Sequence, residues 1–378
     1  MSLSELLTPC LLLDRGIMEN NISRMQKHVT SQGASLRPHL KTSKCIEIAE
    51  AMTRGHSRAV AVSTLREADY FGSHGFSDIL YTVAPPPGKL PHVMDLLARG
   101  IRVMVLADNP QSVEAICDYG RSASIKIPVL LEIDCDGHRS GLSAAPEAVI
   151  PLARTLSRSN GASFAGIMTH AGGAYDCKSI ISICQAAARE CAVVDHLALQ
   201  LAHAGMKCPV ISVGSTPTAI FGEGFERVTE VRAGAFVFND LTMVNLGVCD
   251  VPDIAISVLT SVIGHREQAN QIVTDAGWTA LSSDLSTEKQ AKDFKYGLVC
   301  DGLTGAPLDD MLVVGTNQEH GLVGQRHGRR LDYQQFPVGR LLRVLPVHAC
   351  ATAAAHGSYR VTDGSTNILG EWKRVGGW

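Results

Sequence analysis

Eight residues near the start of the chain, RPHLKTSK at 37–44, carry four basic side chains in a sequence that is otherwise sparing with charge. A lysine in such a run offers a primary amine that can attack a carbonyl carbon and, once released, take up a proton. On a strand end, alternation with Leu40 would turn His39 and Lys41 to the same side. Far downstream, LLRVLPVHACAT sets His348 and Cys350 two residues apart. On a strand that spacing turns both side chains to one face. Imidazole and thiolate are favoured zinc ligands, and two protein ligands leave positions for water or substrate. Between these stretches, Ser63 and Thr64 follow AVAV, Arg139 lies in EIDCDGHRSGL, and His170 lies in GIMTHAGG. The turn SVGSTPT at 212–218 and Arg232 in EVRAG complete the set. A lysine, two arginines, a histidine and a Gly/Ser/Thr turn suit a pyridoxal phosphate site. The lysine forms the imine, the turn holds the phosphate, and flat or cationic groups meet the ring. Each residue alone also fits a plainer role: a solvated cationic run, a satisfied core histidine, a buried cysteine.

Such groups need a scaffold that gathers strand ends. From about residue 16 to 245 the chain alternates helical stretches such as MENNISRMQKHV, SKCIEIAEAMTRG and LPHVMDLLARG with short apolar runs such as AVAVST, DILYTVA, RVMVLAD, IPVLLEID, FAGIMTH, PVISVGS and, as the last strand, EVRAGAFVF, with Asp240 at its end. Strands apolar throughout, rather than alternating, are buried on both faces. About eight of them separated by helices predict an α/β fold, a parallel (β/α)8 TIM-type barrel whose catalytic groups stand at the C-terminal strand ends. After about residue 250 the texture changes to strand-like runs and turn residues, among them AISVLTSVIGHR, MLVVGTNQEHGLV and GRLLRVLPVHAC. These predict a C-terminal all-β domain. The expected division is residues 1–15 joining the β domain, a barrel over 16–248 and the β domain over 249–378. DAGW reads as a tight strand turn and KQAKDFK as a solvated surface stretch.

Composition narrows the function classes. Hydrophobic residues are 45% and charged residues 19% of 378, ordinary for a globular enzyme. A formal charge of −3 carries no electrostatic footprint for nucleic acid. No apolar run reaches the ~18 residues of a membrane span. The start, MSLSELLTPCLLLDRG, lacks a basic n-region, so no signal peptide is expected. Eleven scattered cysteines without a CxxC pair predict free thiols in a reducing cytoplasm rather than a disulfide framework.

The stretches TPCLLLD, RPHLKTSK, STLREAD, EIDCDGHRSG, THAGGAYD, SVGSTPT, EVRAGAFVFND, DAGW, NQEHG and PVHACAT occur in an order that resembles fold-type III pyridoxal phosphate enzymes, the alanine racemase-like group. Within it the chain is similar to the branch of D-serine dehydratase, D-threonine aldolase and D-threo-3-hydroxyaspartate dehydratase. The resemblance implies that Lys41 holds the cofactor as an imine, that Arg139 stands beside the ring hydroxyl, and that His170 packs on the ring face. It places Tyr175, Ser215, Thr216 and Thr218 in or near the phosphate cradle, and Arg232 opposite the pyridine nitrogen. An arginine there keeps that nitrogen unprotonated and weakens the electron sink. It further implies a divalent metal on His348 and Cys350, zinc first, with magnesium or manganese as alternatives. In the dehydratase branch the second ligand is a cysteine, in the aldolase branch an aspartate, so Cys350 favours dehydration.

The function expected is therefore a lyase that dehydrates D-3-hydroxy amino acids such as D-threo-3-hydroxyaspartate or D-serine to a 2-oxo acid and ammonia. In that scheme Lys41 takes the α-proton and the metal draws off the β-hydroxyl. His39, Asp240, Gln318 and His320 are candidates for the substrate pocket; turn chemistry accounts for the last three equally well. Alternatives are retro-aldol cleavage of the D-threonine aldolase type, an amino-acid racemase, and a non-enzymatic pyridoxal phosphate carrier. No racemase-type tyrosine motif is found in the β domain, and the length of that domain argues against the carrier. The partners expected are a small D-amino acid and a second copy of the chain, with no nucleic acid and no membrane.

Overall fold

A computed structural model describes all 378 residues. The chain divides into two compact units, Met1–Ser23 with Ala235–Gly376 and Arg24–Gly234 with Gly377–Trp378. Strand β1 (Cys10–Asp14) belongs to the first. The second holds β2 (Ser35–Pro38), β3 (Ala59–Val62), β4 (Asp78–Tyr81), β5 (Arg102–Ala107), β6 (Ile127–Ile133), β7 (Ala162–Thr169), β8 (Val210–Val213) and β9 (Glu230–Ala233). These eight pair in parallel in the order β2-β9-β8-β7-β6-β5-β4-β3. A parallel bridge between His39 and Ala61 joins the two end strands, so the sheet closes into the (β/α)8 barrel.

Local chemistry explains the elements. All four residues of β3, AVAV, are buried, and an apolar cluster of Ala61, Leu80, Met104, Leu106, Leu130 and Met168 fills part of the barrel. Thr64 caps the helix Leu65–Ser73 by accepting the Glu67 amide at 3.0 Å. Asn109 caps Pro110–Ala123 in the same way at 2.8 Å, with proline at the first helical position. At Gly166 (φ +141°) β7 approaches β8 so closely that a Cβ would lie 1.9 Å from the Val210 carbonyl oxygen.

The other unit adds β10 (Ile256–Arg266), β11 (Gln271–Thr274), β12 (Leu298–Asp301), β13 (Pro307–Thr316), β14 (Gly321–Gln325), β15 (Leu341–Leu345), β16 (Ser358–Thr362) and β17 (Gly370–Lys373). Its sheet runs β11-β14-β13-β12-β15-β10-β1-β16-β17, and pairing of β11 with β10 closes six of these strands into an antiparallel barrel. β1 pairs antiparallel with β10 and parallel with β16. Leu298, Cys300, Leu312 and Leu345 lie in its core.

Several local expectations are corrected. EVRAGAFVF is not one strand: β9 stops at Ala233 and the chain enters a 3-10 turn at Ala235–Val237. DAGW opens a short helix, Trp278–Leu281, rather than a simple strand turn. KQAKDFK is not wholly solvated, because Phe294 is 3% exposed and joins the β-unit core. Lys292 and Arg326 stand over its ring, so the charges that disguised the segment cover an apolar anchor. All eleven cysteines are free, and no helix is long and apolar enough to cross a membrane.

Candidate functional site

The four bases of RPHLKTSK take separate roles. Arg37 is buried inside the barrel, its Nε 2.7 Å from Glu230 Oε2 and its Nη1 2.9 Å from Asp78 Oδ1. Lys44, at φ +48°, pairs through Nζ with the buried Glu67 at 3.0 Å. His39 and Lys41 remain. They do not alternate on a strand as expected: β2 ends at Pro38, and after the His39 bridge the chain turns, with the Lys44 amide donating to Leu40 O at 2.8 Å. The turn brings the Lys41 amide 3.3 Å from His39 Nδ1 and leaves the lysine side chain exposed.

Around this turn the barrel gathers the residues expected to do chemistry. His39 is held well below its ordinary pKa by burial and then by the charges of Lys41, Arg232, His170 and Arg139, so all five groups share one field. His170, just past β7, has a pKa lowered to about 3. Burial is the main cause, opposed by the hydrogen bond to Gly214 and reinforced by Arg139, Arg232 and Lys41. That hydrogen bond, Nδ1–H to the Gly214 carbonyl at 2.8 Å, fixes the tautomer of a neutral imidazole. Arg232 is fully enclosed, donating through Nη1 to Ser212 Oγ at 2.6 Å and through Nη2 to the Thr169 carbonyl. Burial disfavours its charge, while Glu230, Glu190 and Glu132 sustain it. Arg139 is more open, with Nη2 3.6 Å from Glu132 Oε1. Tyr175 is half-buried in the 3-10 turn Gly172–Asp176 that follows.

The SVGSTPT turn is built tightly. Gly214 has φ +127°, and a Cβ there would lie 2.3 Å from the Arg232 carbonyl oxygen, so only glycine fits. Ser215 and Thr218 close the first turn of the helix Thr216–Phe221 on each other, Oγ to Oγ1 at 2.9 Å. Thr216 differs from both: its Oγ1 is buried with no hydrogen-bond partner. An orphaned hydroxyl in a glycine turn, beside a lysine, two arginines and a neutral histidine, fits an anionic aromatic aldehyde cofactor.

Reading the sequence missed Glu190. It lies on the buried stripe Ile183, Ala186, Ala187, Glu190, Cys191 and Val194 of the helix Ile180–His203. Its Oε1 accepts from the Ala171 and Gly214 amides at 3.1 and 2.9 Å, tying the His170 loop to the SVGSTPT turn. A charge on an apolar helical stripe was the available signal.

The second cluster lies in the β unit. His348 and Cys350 are not on a strand: β15 stops at Leu345, and His348 is the N-cap of the helix Ala349–Ala354. The i, i+2 spacing therefore spans a strand-to-helix turn. His348 Nδ1 is 2.5 Å from Asp284 Oδ2, and Cys350 is within hydrogen-bonding reach of the same imidazole. Burial opposes charge on His348, but hydrogen bonds to Asp284 and Cys350 and the fields of Cys350 and Asp240 carry its pKa up to about 11. Asp240, expected at the last barrel strand, instead belongs to this unit. It caps the helix Leu241–Asn245 through the Met243 amide and also accepts the Ala349 amide, both at 2.9 Å. No group of three or more His, Cys, Asp or Glu is arranged to hold a metal. The available donors are the imidazole and thiol of the pair, a set that fits zinc with positions left open. Gln318 and His320 are exposed in the turn between β13 and β14, where the Gln318 carbonyl accepts the Thr279 amide at 3.2 Å and its hydroxyl at 2.8 Å.

Comparison with known proteins agrees with both halves of this architecture. The alanine racemase N-terminal domain family matches residues 13–241, and a serine dehydratase domain matches residues 255–362. The chain belongs to the alanine racemase-like family, in the branch that carries the serine dehydratase domain. It is 42% identical to D-threo-3-hydroxyaspartate dehydratase of Delftia sp. (strain HT23) over 376 residues, 98% of each chain. The solved structure of that enzyme superposes with a TM-score of 0.95 over the whole of both chains. A cysteine-to-alanine variant of D-threo-3-hydroxyaspartate dehydratase, solved in the metal-free form, is 41% identical, with a TM-score of 0.96 over the whole of both chains. D-serine dehydratase of Dictyostelium discoideum is 29% identical over 400 residues, covering 100% of this chain and 98% of the relative.

Proposed function

We propose that this chain is a pyridoxal phosphate- and metal-dependent lyase that dehydrates D-3-hydroxy amino acids, such as D-threo-3-hydroxyaspartate or D-serine, to a 2-oxo acid and ammonia. The observation that carries the reading is the convergence of Lys41, His39, Arg139, His170 and Arg232 in one field beside a glycine turn with an unsatisfied Thr216 hydroxyl. When bound, the cofactor supplies an electron sink that acidifies the substrate α-carbon. Lys41 would hold it through Nζ, and the amine of Lys41 is the base placed to take the α-proton. The unpartnered Thr216 hydroxyl would serve the phosphate as a donor. His170, neutral and locked as the Nδ1–H tautomer, offers a flat uncharged face. Arg232, held by Ser212 and Thr169, is a hydrogen-bond donor that accepts no proton, and it would disfavour protonation of a ring nitrogen facing it. His348 and Cys350 would hold a divalent metal, zinc first, whose Lewis acidity eases departure of the β-hydroxyl.

The test is product analysis with each D-amino acid, with and without a chelator. Formation of 2-oxo acid and ammonia, abolished by chelation and restored by zinc, is expected. Glycine plus an aldehyde in their place would make the enzyme an aldolase. Undiminished turnover after complete metal removal would contradict the role of His348 and Cys350.

A further inference from the structure

Outside the His348–Cys350 motif, one more side chain grips the imidazole: Asp284, from the loop after the helix Trp278–Leu281. We propose that Asp284 is a positioning residue for the metal, holding His348 in the tautomer and orientation that leave Nε2 as the ligand atom. This rests on the reading of His348 and Cys350 as a metal pair. A carboxylate can only accept, so the 2.5 Å contact requires the proton on His348 Nδ1. The two nitrogens of the ring diverge, so a group bonded at Nδ1 cannot also ligate an ion bound at Nε2. Asp284 therefore acts behind the ligand, not beside it. A carboxylate in that place fixes ring orientation and raises ligand basicity.

The surroundings hold Asp284 ready for this task. The Asp284 amide donates to Ser282 Oγ at 3.2 Å. Ser286 Oγ donates to the Val347 carbonyl at 3.1 Å, and Thr242 Oγ1 reaches the same carbonyl at 2.7 Å. The loop is thus stitched to the residue immediately before His348. The neighbouring carboxylate, Asp240, does a different job: its two oxygens take the Met243 and Ala349 amides and set where the turn begins. Asp284 is the one whose oxygen meets the ring itself.

The experiment is a zinc titration of the metal-free full chain against a chromophoric chelator, comparing wild type with Asp284→Asn, Asp284→Ala, Asp284→Glu and His348→Ala. We expect the zinc dissociation constant to rise about 10- to 100-fold in Asp284→Asn and Asp284→Ala. Partial recovery of zinc affinity is expected in Asp284→Glu, with every metal-free Asp284 variant still folded, by its urea midpoint, under the titration conditions. Loss of zinc in His348→Ala with wild-type affinity in Asp284→Ala would overturn the positioning role alone. Zinc affinity untouched in His348→Ala would overturn the metal reading, and this inference with it. Weakened affinity that tracks a lowered metal-free midpoint, without recovery in Asp284→Glu, would make Asp284 a structural residue and equally overturn the proposal.

Discussion

Arg37 tests whether the bases of RPHLKTSK divide between scaffold and chemistry. Its side chain is 5% exposed and bonds to Glu230, itself 9% exposed, at 2.7 Å, and to Asp78 at 2.9 Å. It also donates to the carbonyls of Val60 and Asp78 at 3.3 and 3.2 Å, linking β2 to β3 and β4 near the seam that the His39–Ala61 bridge closes. Arg37→Met keeps most of the stem volume but strands the Glu230 carboxylate. Removing one partner of a buried pair costs about 3–5 kcal/mol. Glu230 keeps the Ser212 hydroxyl at 2.6 Å and the field of Arg232, which puts the expected loss at the lower end, about 3 kcal/mol. That corresponds to roughly a 150-fold fall in the folding constant. Urea unfolding of the cofactor-free protein, followed by far-UV circular dichroism, measures it. Adding Glu230→Gln should recover at least about 1 kcal/mol, because an uncompensated charge, not lost packing, carries most of the penalty. A cost below about 1 kcal/mol for Arg37→Met, or Glu230→Gln proving more harmful in the variant than in the wild type, would refute the buried ion-pair role of Arg37.

Lys41→Ala should leave the urea midpoint within about 0.5 kcal/mol, since the side chain is exposed. Borohydride reduction and peptide mapping should place a pyridoxyl label at residue 41 of the wild type, and Lys41→Ala should abolish it. Thr216→Val removes the orphaned hydroxyl, so cofactor affinity should fall about 10- to 100-fold while the cofactor-free protein melts no lower, as read by fluorescence titration and calorimetry. His170 has a folded pKa of about 3 against an ordinary 6.5, so the unfolded chain takes up a proton that the native barrel refuses. The stability this gives is full above 6.5 and is lost as pH falls through about 3, on the order of 5 kcal/mol in all. His170→Asn should flatten that acid limb; an unchanged slope of stability against pH would show that other groups set it.

Much of this protein was legible in its residues. Apolar runs such as AVAV and VLLEI announced strands buried on both faces, and eight of them with helices between admit few arrangements besides a closed parallel barrel. The types gathered at their ends, a lysine, two arginines, a histidine and a glycine turn, are those on which the proposed carbonyl and phosphate chemistry rests. Periodicity and residue type are local properties, readable one segment at a time. What distinguishes Lys41 from Arg37 and Lys44 is not local. Each is a cation in the same eight residues, and the difference lies in carboxylates brought from 23 to nearly 200 positions away, Glu67, Asp78 and Glu230. The strand alternation inferred for His348 and Cys350 failed for a related reason. Asp240, more than a hundred residues earlier, captures the Ala349 amide and helps start a helix where a strand was expected. Glu190 and Asp284 went unnoticed because a carboxylate's value depends on which amide or imidazole the fold sets against it. Residue types along the chain determined which reactions were chemically available; folding decided which of the competing charges were neutralised and which were left to act.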